Sequence, residues 1–244
     1  MTVVVLTLNE ESRIADCLAS VRSADEIIML DSGSTDRTRE LAAAAGARVE
    51  VRPMTNFAEQ RNFANSLARS DWILHLDADE RATPALLAEI RKAIASDLFD
   101  GYRVPTLNII FGEALHHGGW YPSYHVRLQR RGKSSWGKDV HELAQVSGRL
   151  GTLKEPIVHH SHADVAGFVE KLNRYTTMEA SRDTRSSSSL AWRAAFEPGP
   201  YFVYKYVLQR GFLDGSRGLT IALLLSFYRC VGCLKALELR RRRP

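Results

Sequence analysis

Asp77-Ala78-Asp79 follows the apolar run Trp72-Ile73-Leu74-His75-Leu76. In an extended segment residues i and i+2 share a face, so both carboxylates can meet one hard cation at the end of a strand. Mg²⁺ or Mn²⁺ held between such carboxylates and a diphosphate neutralises a leaving group. The tripeptide also occurs in solvated turns, and its place after a buried run is what favours the chemistry. A second acid, Asp31, ends the β-rich run from Glu26 and opens Asp31-Ser32-Gly33-Ser34-Thr35-Asp36. Ser34 or Thr35 would cap a following helix, which leaves Asp31 unexplained. An acid at that place can accept from a nucleobase N–H or from ribose hydroxyls. No Gly-x-x-x-x-Gly-Lys-Ser/Thr occurs, which excludes a P-loop phosphate cradle.

The elements that must position these acids alternate through the first hundred residues. Val3–Leu8, Glu26–Asp31, Ala47–Val51 and Trp72–Leu76 read as strands, with helical patterns over Glu10–Arg22, Thr35–Ala45 and Phe57–Arg69 between them. This is an α/β pattern with a mostly parallel, Rossmann-like central sheet and flanking helices. Ligands are expected at the carboxyl ends of its strands. Beyond Asp100 the spacing predicts strands at Tyr102–Ile110, Tyr124–Gln129 and Leu143–Val146. Helices are predicted at Asp164–Arg182, Leu190–Phe196, Pro200–Leu213 and Ser216–Leu239, with a polar break at Ser186–Ser189.

The chain has 244 residues, of which 45% are hydrophobic, and a net charge of +5. That composition excludes a disordered chain or a stapled miniprotein. Residues 201–244 hold nine Lys/Arg and two acids, a net +7, leaving a slightly acidic body. We therefore divide the chain into a body, 1–189, and a basic, apolar helical tail, 190–244. The tail suits an anionic surface. Three cysteines, Cys17, Cys230 and Cys233, fit a reducing compartment, and Cys230-x-x-Cys233 lacks the second pair of a zinc site. Met1–Leu6 is expected as a buried strand rather than a signal peptide. The longest apolar stretch, Leu219–Tyr228, is about half the ~20 residues that span a bilayer, so no transmembrane helix is expected.

The motifs Thr7-Leu8-Asn9-Glu10-Glu11, Asp31-Ser32-Gly33-Ser34-Thr35-Asp36, Gln60-Arg61-Asn62 and Leu76-Asp77-Ala78-Asp79-Glu80 together resemble the family-2 glycosyltransferases with the GT-A fold. Val140-His141-Glu142, Pro156-Ile157-Val158-His159, Lys171-Leu172-Asn173-Arg174-Tyr175 and Arg210-Gly211-Phe212-Leu213-Asp214-Gly215 extend the resemblance to the lipopolysaccharide core β-1,4-glucosyltransferase branch. It implies an inverting enzyme that uses Mg²⁺ or Mn²⁺, a nucleoside-diphosphate sugar such as UDP-glucose and a lipid-linked glycan acceptor. Asn9 and Glu11 would line the nucleotide pocket, Asp31 would contact the base, and Arg61 would approach the nucleotide. Asp77 would face ribose or the metal's water shell, and Asp79 would be the direct metal ligand, with His159 on the metal or diphosphate.

In many members of that family a Glu-Asp pair supplies the general base, and here His141-Glu142 stands in its region. A zinc-protease reading of these residues fails because Gln145 stands where the second histidine is needed. A glutamate with an ordinary pKa of ~4.3 is ionised at neutral pH and can take a proton from a sugar hydroxyl. Asp139 is the alternative base. His160 and His162 share one face of an extended strand and His159 takes the other, so the three cannot turn to one ion.

In the tail, Tyr201, Phe202, Tyr204, Tyr206 and Phe212 alternate with Lys205 and Arg210, as in amphipathic helices lying in a headgroup layer. Cytoplasmic residence at the inner face of a membrane follows, with no nucleic-acid partner. Two other functions compete: a sugar-phosphate nucleotidyltransferase, which would release pyrophosphate, and a non-catalytic membrane-surface adaptor, which would not require Asp31, Asp77 and Asp79 after consecutive strands.

Overall fold

The computed structural model describes residues 1–137 and 144–241. In chain order the elements are β1 (Thr2–Thr7), α1 (Ile14–Ser20), β2 (Glu26–Asp31), α2 (Thr38–Ala44), β3 (Arg48–Val51), α3 (Phe57–Leu67), β4 (Trp72–Asp77), β5 (Glu80–Ala82) and α4 (Pro84–Ala95). The chain continues with β6 (Gly101–Ile110), β7 (Glu113–Ala114), β8 (Ser123–Arg130), β9 (Ser134–Trp136), β10 (Ala144–Val146), β11 (Leu150–Thr152) and β12 (Ile157–His162). It ends with α5 (Val165–Arg182), α6 (Ser187–Phe196), α7 (Pro198–Val203) and α8 (Gly215–Arg241).

Every residue of β1 is buried, as a strand covered on both faces must be. It pairs parallel with β2 on one side and β4 on the other. The order β3-β2-β1-β4-β8-β6-β12-β5 makes a mostly parallel left half joined to an antiparallel right half, the expected GT-A architecture. The chain winds outward from β1 to β3 and then returns to β4 on the other side. The switch point of the sheet is therefore the carboxyl edge between β1 and β4. The register Thr7↔Asp31 and Leu6↔Asp77 brings the ends of all three strands to that edge. Val3, Val5, Met29, Leu74 and Leu76 pack with Ile14, Leu18, Leu86 and Ile90 on one face, while Val4, Ile28, Leu30 and Ile73 meet Ala64 of α3 on the other.

Caps fix the helix entries. Asn56 accepts from Glu59 N at 2.8 Å and Thr83, ahead of Pro84, accepts from Leu86 N at 3.0 Å. Such caps contribute ~1 kcal/mol each. Ser186, expected in a polar break, instead caps α6 by accepting from Ser189 N. The single helix expected over Pro200–Leu213 is a succession of α7, a π turn over Tyr204–Leu208 and a 3₁₀ turn over Gly211–Asp214. Arg210, at φ +57°, breaks it.

Two compact units divide the chain, one of 1–106 with 123–159 and one of 107–122 with 160–244. This places α5 with the tail, so packing follows a different boundary from the division at 189/190, which rests on charge. Within the second unit Ile221 packs with Phe168 and Leu172, and Cys233 and Ala236 with Ala180 and Leu190. The segment Gly211–Arg241 contains an 18-residue window of mean hydropathy 1.5, only 28% of it buried, and is long and apolar enough to cross a membrane by length and composition. The helix runs on through Arg229 to Arg241, well beyond the apolar stretch Leu219–Tyr228. It is not amphipathic in the expected sense. Small residues such as Gly218, Ala222 and Ser226 face inward, while Leu219, Leu223, Phe227 and Leu234 are exposed.

Candidate functional site

The loop after β1 and the loop after β2 are laced together. Asn9, at φ +55° in a conformation asparagine tolerates, accepts from Thr35 N at 2.9 Å, and its own N–H donates to Ser34 Oγ at 2.9 Å. Glu10 N donates to Thr38 Oγ1, Glu11 N to Asp36 Oδ2, and Arg37 N to Glu11 Oε2 at 3.1 Å. Asn9 and Glu11 thus brace the rim assigned to the nucleotide. Helix α2 is entered through Asp36, which accepts from Thr38 N at 3.0 Å, rather than through Ser34 or Thr35.

Asp31 is fully buried. It accepts from Gly33 N (3.0 Å), Ser34 N (2.8 Å), Thr7 Oγ1 (3.3 Å) and Ser34 Oγ. These internal donors account for the acid that capping left unexplained: it shapes the loop. A direct contact from its carboxylate to a base would have to compete with them.

Asp77 ends β4 with its side chain 35% exposed. Arg61 Nη2 lies 2.7 Å from one carboxylate oxygen and Arg127 Nη2 3.1 Å from the other. The same Arg127 nitrogen reaches Glu80 Oε1 at 2.6 Å, and Glu80 Oε2 accepts from Asp77 N at 2.9 Å. Burial alone would raise the Asp77 carboxyl, but Arg61 and Arg127 outweigh it and hold Asp77 well below the usual carboxylate range. Burial likewise pushes Glu80 up, to about 7 even with Arg127 beside it. Both Asp77 oxygens are engaged by guanidinium groups, a two-arginine clamp on the carboxylate that was expected to face ribose or a cation.

Asp79 meets His159. The antiparallel pairing of β5 with β12 sets His159 opposite Glu80, and His159 Nε2 lies 3.1 Å from Asp79 Oδ2. Burial would lower the His159 pKa, but the Asp79 carboxylate raises it above its ordinary value. Asp79 is held below the usual range, the hydrogen bond and charge of His159 overcoming the effect of burial. A carboxylate beside an imidazole, where a cation would replace the imidazole proton, suits a divalent ion whose remaining positions go to phosphate oxygens and water. Among the described residues no third His, Cys, Asp or Glu joins them as a metal-binding group. His141, Glu142 and Asp139 lie outside the described residues.

Sequence reasoning passed over Arg127 and Trp136, and quoted Glu80 in its motif without giving it a role. Arg127 stands at an irregularity of the β6–β8 pairing: Tyr102 faces Leu128 and Arg103 faces Val126, so Arg127 is the extra residue of a bulge. Bulges re-aim side chains. Three carboxylates within four residues needed buried counter-charge, and that was the signal available. Trp136 packs under Arg61, whose guanidinium carbon sits 4.8 Å from the indole ring, and edge-on to buried His75 at 5.2 Å. Asn62 holds Trp136 through its backbone O (2.9 Å) and N (2.8 Å). Burial, with Arg61 and Arg127 near, keeps His75 neutral.

The family model described as glycosyl transferase family 2 matches residues 2–142. An uncharacterized glycosyltransferase of Rickettsia felis is 29% identical over 96% of this chain and 88% of its own length. The lipopolysaccharide core biosynthesis glycosyltransferase LpsC of Rhizobium meliloti is 28% identical over 90% and 88%. Among solved structures, glucosyl-3-phosphoglycerate synthase from Mycobacterium tuberculosis, in complex with Mn²⁺, uridine diphosphate and glucosyl-3-phosphoglycerate, shares 25% identity over 44% of this chain and 43% of that one. Its TM-score is 0.39.

Proposed function

We propose that this chain, which belongs to glycosyl transferase family 2, moves glucose with inversion from UDP-glucose to a lipid-linked acceptor such as the inner core of lipopolysaccharide, at the cytoplasmic face of a membrane. Glycosyl transfer follows from the family. The acceptor class is supported by the relative named for lipopolysaccharide core biosynthesis. The observation behind the reading is the pairing of Asp79 with His159, two residues beyond Asp77 at the switch point of the sheet, next to a rim braced by Asn9 and Glu11.

On this reading the rim built by Asn9, Glu11 and Asp31 receives the nucleoside. The clamp of Arg61 and Arg127 fixes Asp77 to face ribose. Asp79 and His159 would hold the divalent cation, which when bound neutralises charge on the departing nucleoside diphosphate. The acceptor hydroxyl gives its proton to Glu142, or to Asp139, as it attacks the anomeric carbon from the face opposite the leaving group. The exposed apolar face of α8 and the terminal arginines keep the enzyme near its lipid-linked acceptor. A mass-spectrometric comparison of lipid glycans from cells with and without this protein tests the reading. A missing hexose supports it, and unchanged glycans overturn it.

A further inference from the structure

Beside the clamp, in the first unit, lies a cavity of about 740 Å³, counting space open to solvent, lined by Arg61, Asp77, Arg103, Tyr124, Arg127 and Trp136, among others. Among the described residues its charges do not balance. Arg61 and Arg127 are paired with Asp77 and Glu80, whereas Arg103 is exposed on β6 and, among the described residues, has no carboxylate within ion-pair distance. A guanidinium with no counter-charge at the mouth of a concave site is a ready fork for a carboxylate or phosphate. The walls suit a sugar ring, since half-exposed Tyr124 and the largely buried Trp136 both line the cavity.

Location separates this cavity from the nucleotide rim. The laced loops of Asn9 and Asp31 follow β1 and β2, on one side of β4, whereas Arg103, Tyr124 and Arg127 stand on β6 and β8, on the other side. Asp77 sits between them and also lines the cavity.

We infer that this cavity is the acceptor subsite and that it takes a sugar bearing an anionic group, a carboxylate or a phosphate, read by Arg103. The inference rests on the transferase reading above. An acidic acceptor sugar would place its ring against the aromatic lining of Tyr124 and Trp136 and its oxyanion on the guanidinium of Arg103, leaving a hydroxyl beside the clamp.

The test is binding to the full-length protein by calorimetry, with glucuronate, mannose 6-phosphate and neutral methyl glucoside as probes, and with UDP titrated separately. The wild type should bind at least one acidic sugar about tenfold more tightly than the neutral one, and which acid is preferred distinguishes carboxylate from phosphate. Arg103→Gln should remove that preference while leaving UDP affinity within twofold, and Arg103→Lys should restore part of it. Equal affinity for acidic and neutral sugars, or a preference that survives Arg103→Gln, overturns the proposal. Loss of UDP affinity in Arg103→Gln equal to the loss for acidic sugars also overturns it, because the guanidinium would then serve the donor. Failure of the wild type to bind UDP at all, with the acidic preference intact, would instead contradict the transferase reading.

Discussion

Arg127 Nη2 lies 3.1 Å from Asp77 and 2.6 Å from Glu80, so one guanidinium nitrogen joins the end of β4 to the start of β5. The loop that carries Asp79 is thereby held at both ends. Removing the guanidinium would leave the buried Glu80 without its arginine and Asp77 with Arg61 alone. Arg127→Met should cost ~3–5 kcal/mol of stability, the range for breaking a buried ion pair from one side. It should also lower transfer at least ~100-fold, because Asp77 and Asp79 lose their fixed positions. Denaturant midpoints with a transfer assay check both, and wild-type values in the two would remove the clamp from the account.

Cys17 is fully buried against the core, and burial pushes its thiol up to about 12. Its folded pKa is raised above the unfolded value of ~8.5, so its contribution is fully present below pH 8.5 and is lost as pH rises towards 12. Unfolding free energy should therefore fall with pH in that window by up to ~1.4 kcal/mol per unit more in the wild type than in Cys17→Ala. Identical slopes would contradict this. In the folded protein Cys230 should react with a thiol reagent at pH 8 while Cys17 does not.

Glu142→Gln tests the base implied by the family resemblance. Turnover should fall by ~10²–10⁴ with UDP-glucose affinity within a few fold. Parallel losses in affinity and rate would assign Glu142 a structural role, and Asp139→Asn would be measured next.

Much of the left half of the fold was legible because its signals are local. Alternation of β-rich and helical runs located β1 to β4, and Asp77 and Asp79 were visible as acids after a buried strand. Arg127 was not, because its role depends on a bulge that only the pairing with β6 reveals. Asp31 was visible, but its hold on the loop was not: its partners Gly33 and Ser34 are neighbours in sequence, yet donation from their backbone N–H groups depends on the turn. The tail's composition was legible and its charge only partly so. Arg217 pairs with Glu113, an acid outside the tail, while Lys235 is tied to Asn173 and Thr176 and Lys205 to Gly118 O without losing their charge.

The tail's charge bears on the membrane. Leu208 is 70% exposed and Trp192 61%, and Leu223 and Phe227 of α8 are exposed in the same unit. The protein should sediment with anionic liposomes and much less with neutral ones. An interfacial helix is weakened by 1 M salt, whereas a spanning helix resists both salt and alkaline carbonate. Leu223→Ser with Phe227→Ser should reduce sedimentation without lowering UDP affinity. Sedimentation unchanged by these substitutions would exclude α8 as the attachment surface.

The pairing of Asp79 with His159 underlies the proposed metal dependence. Its most direct test is UDP release from UDP-glucose, followed with and without the lipid fraction that holds the acceptor. The account predicts that release stops in EDTA, returns with Mn²⁺ or Mg²⁺, and is absent from Asp79→Ala under every condition. Undiminished release in EDTA, or from Asp79→Ala, would contradict it.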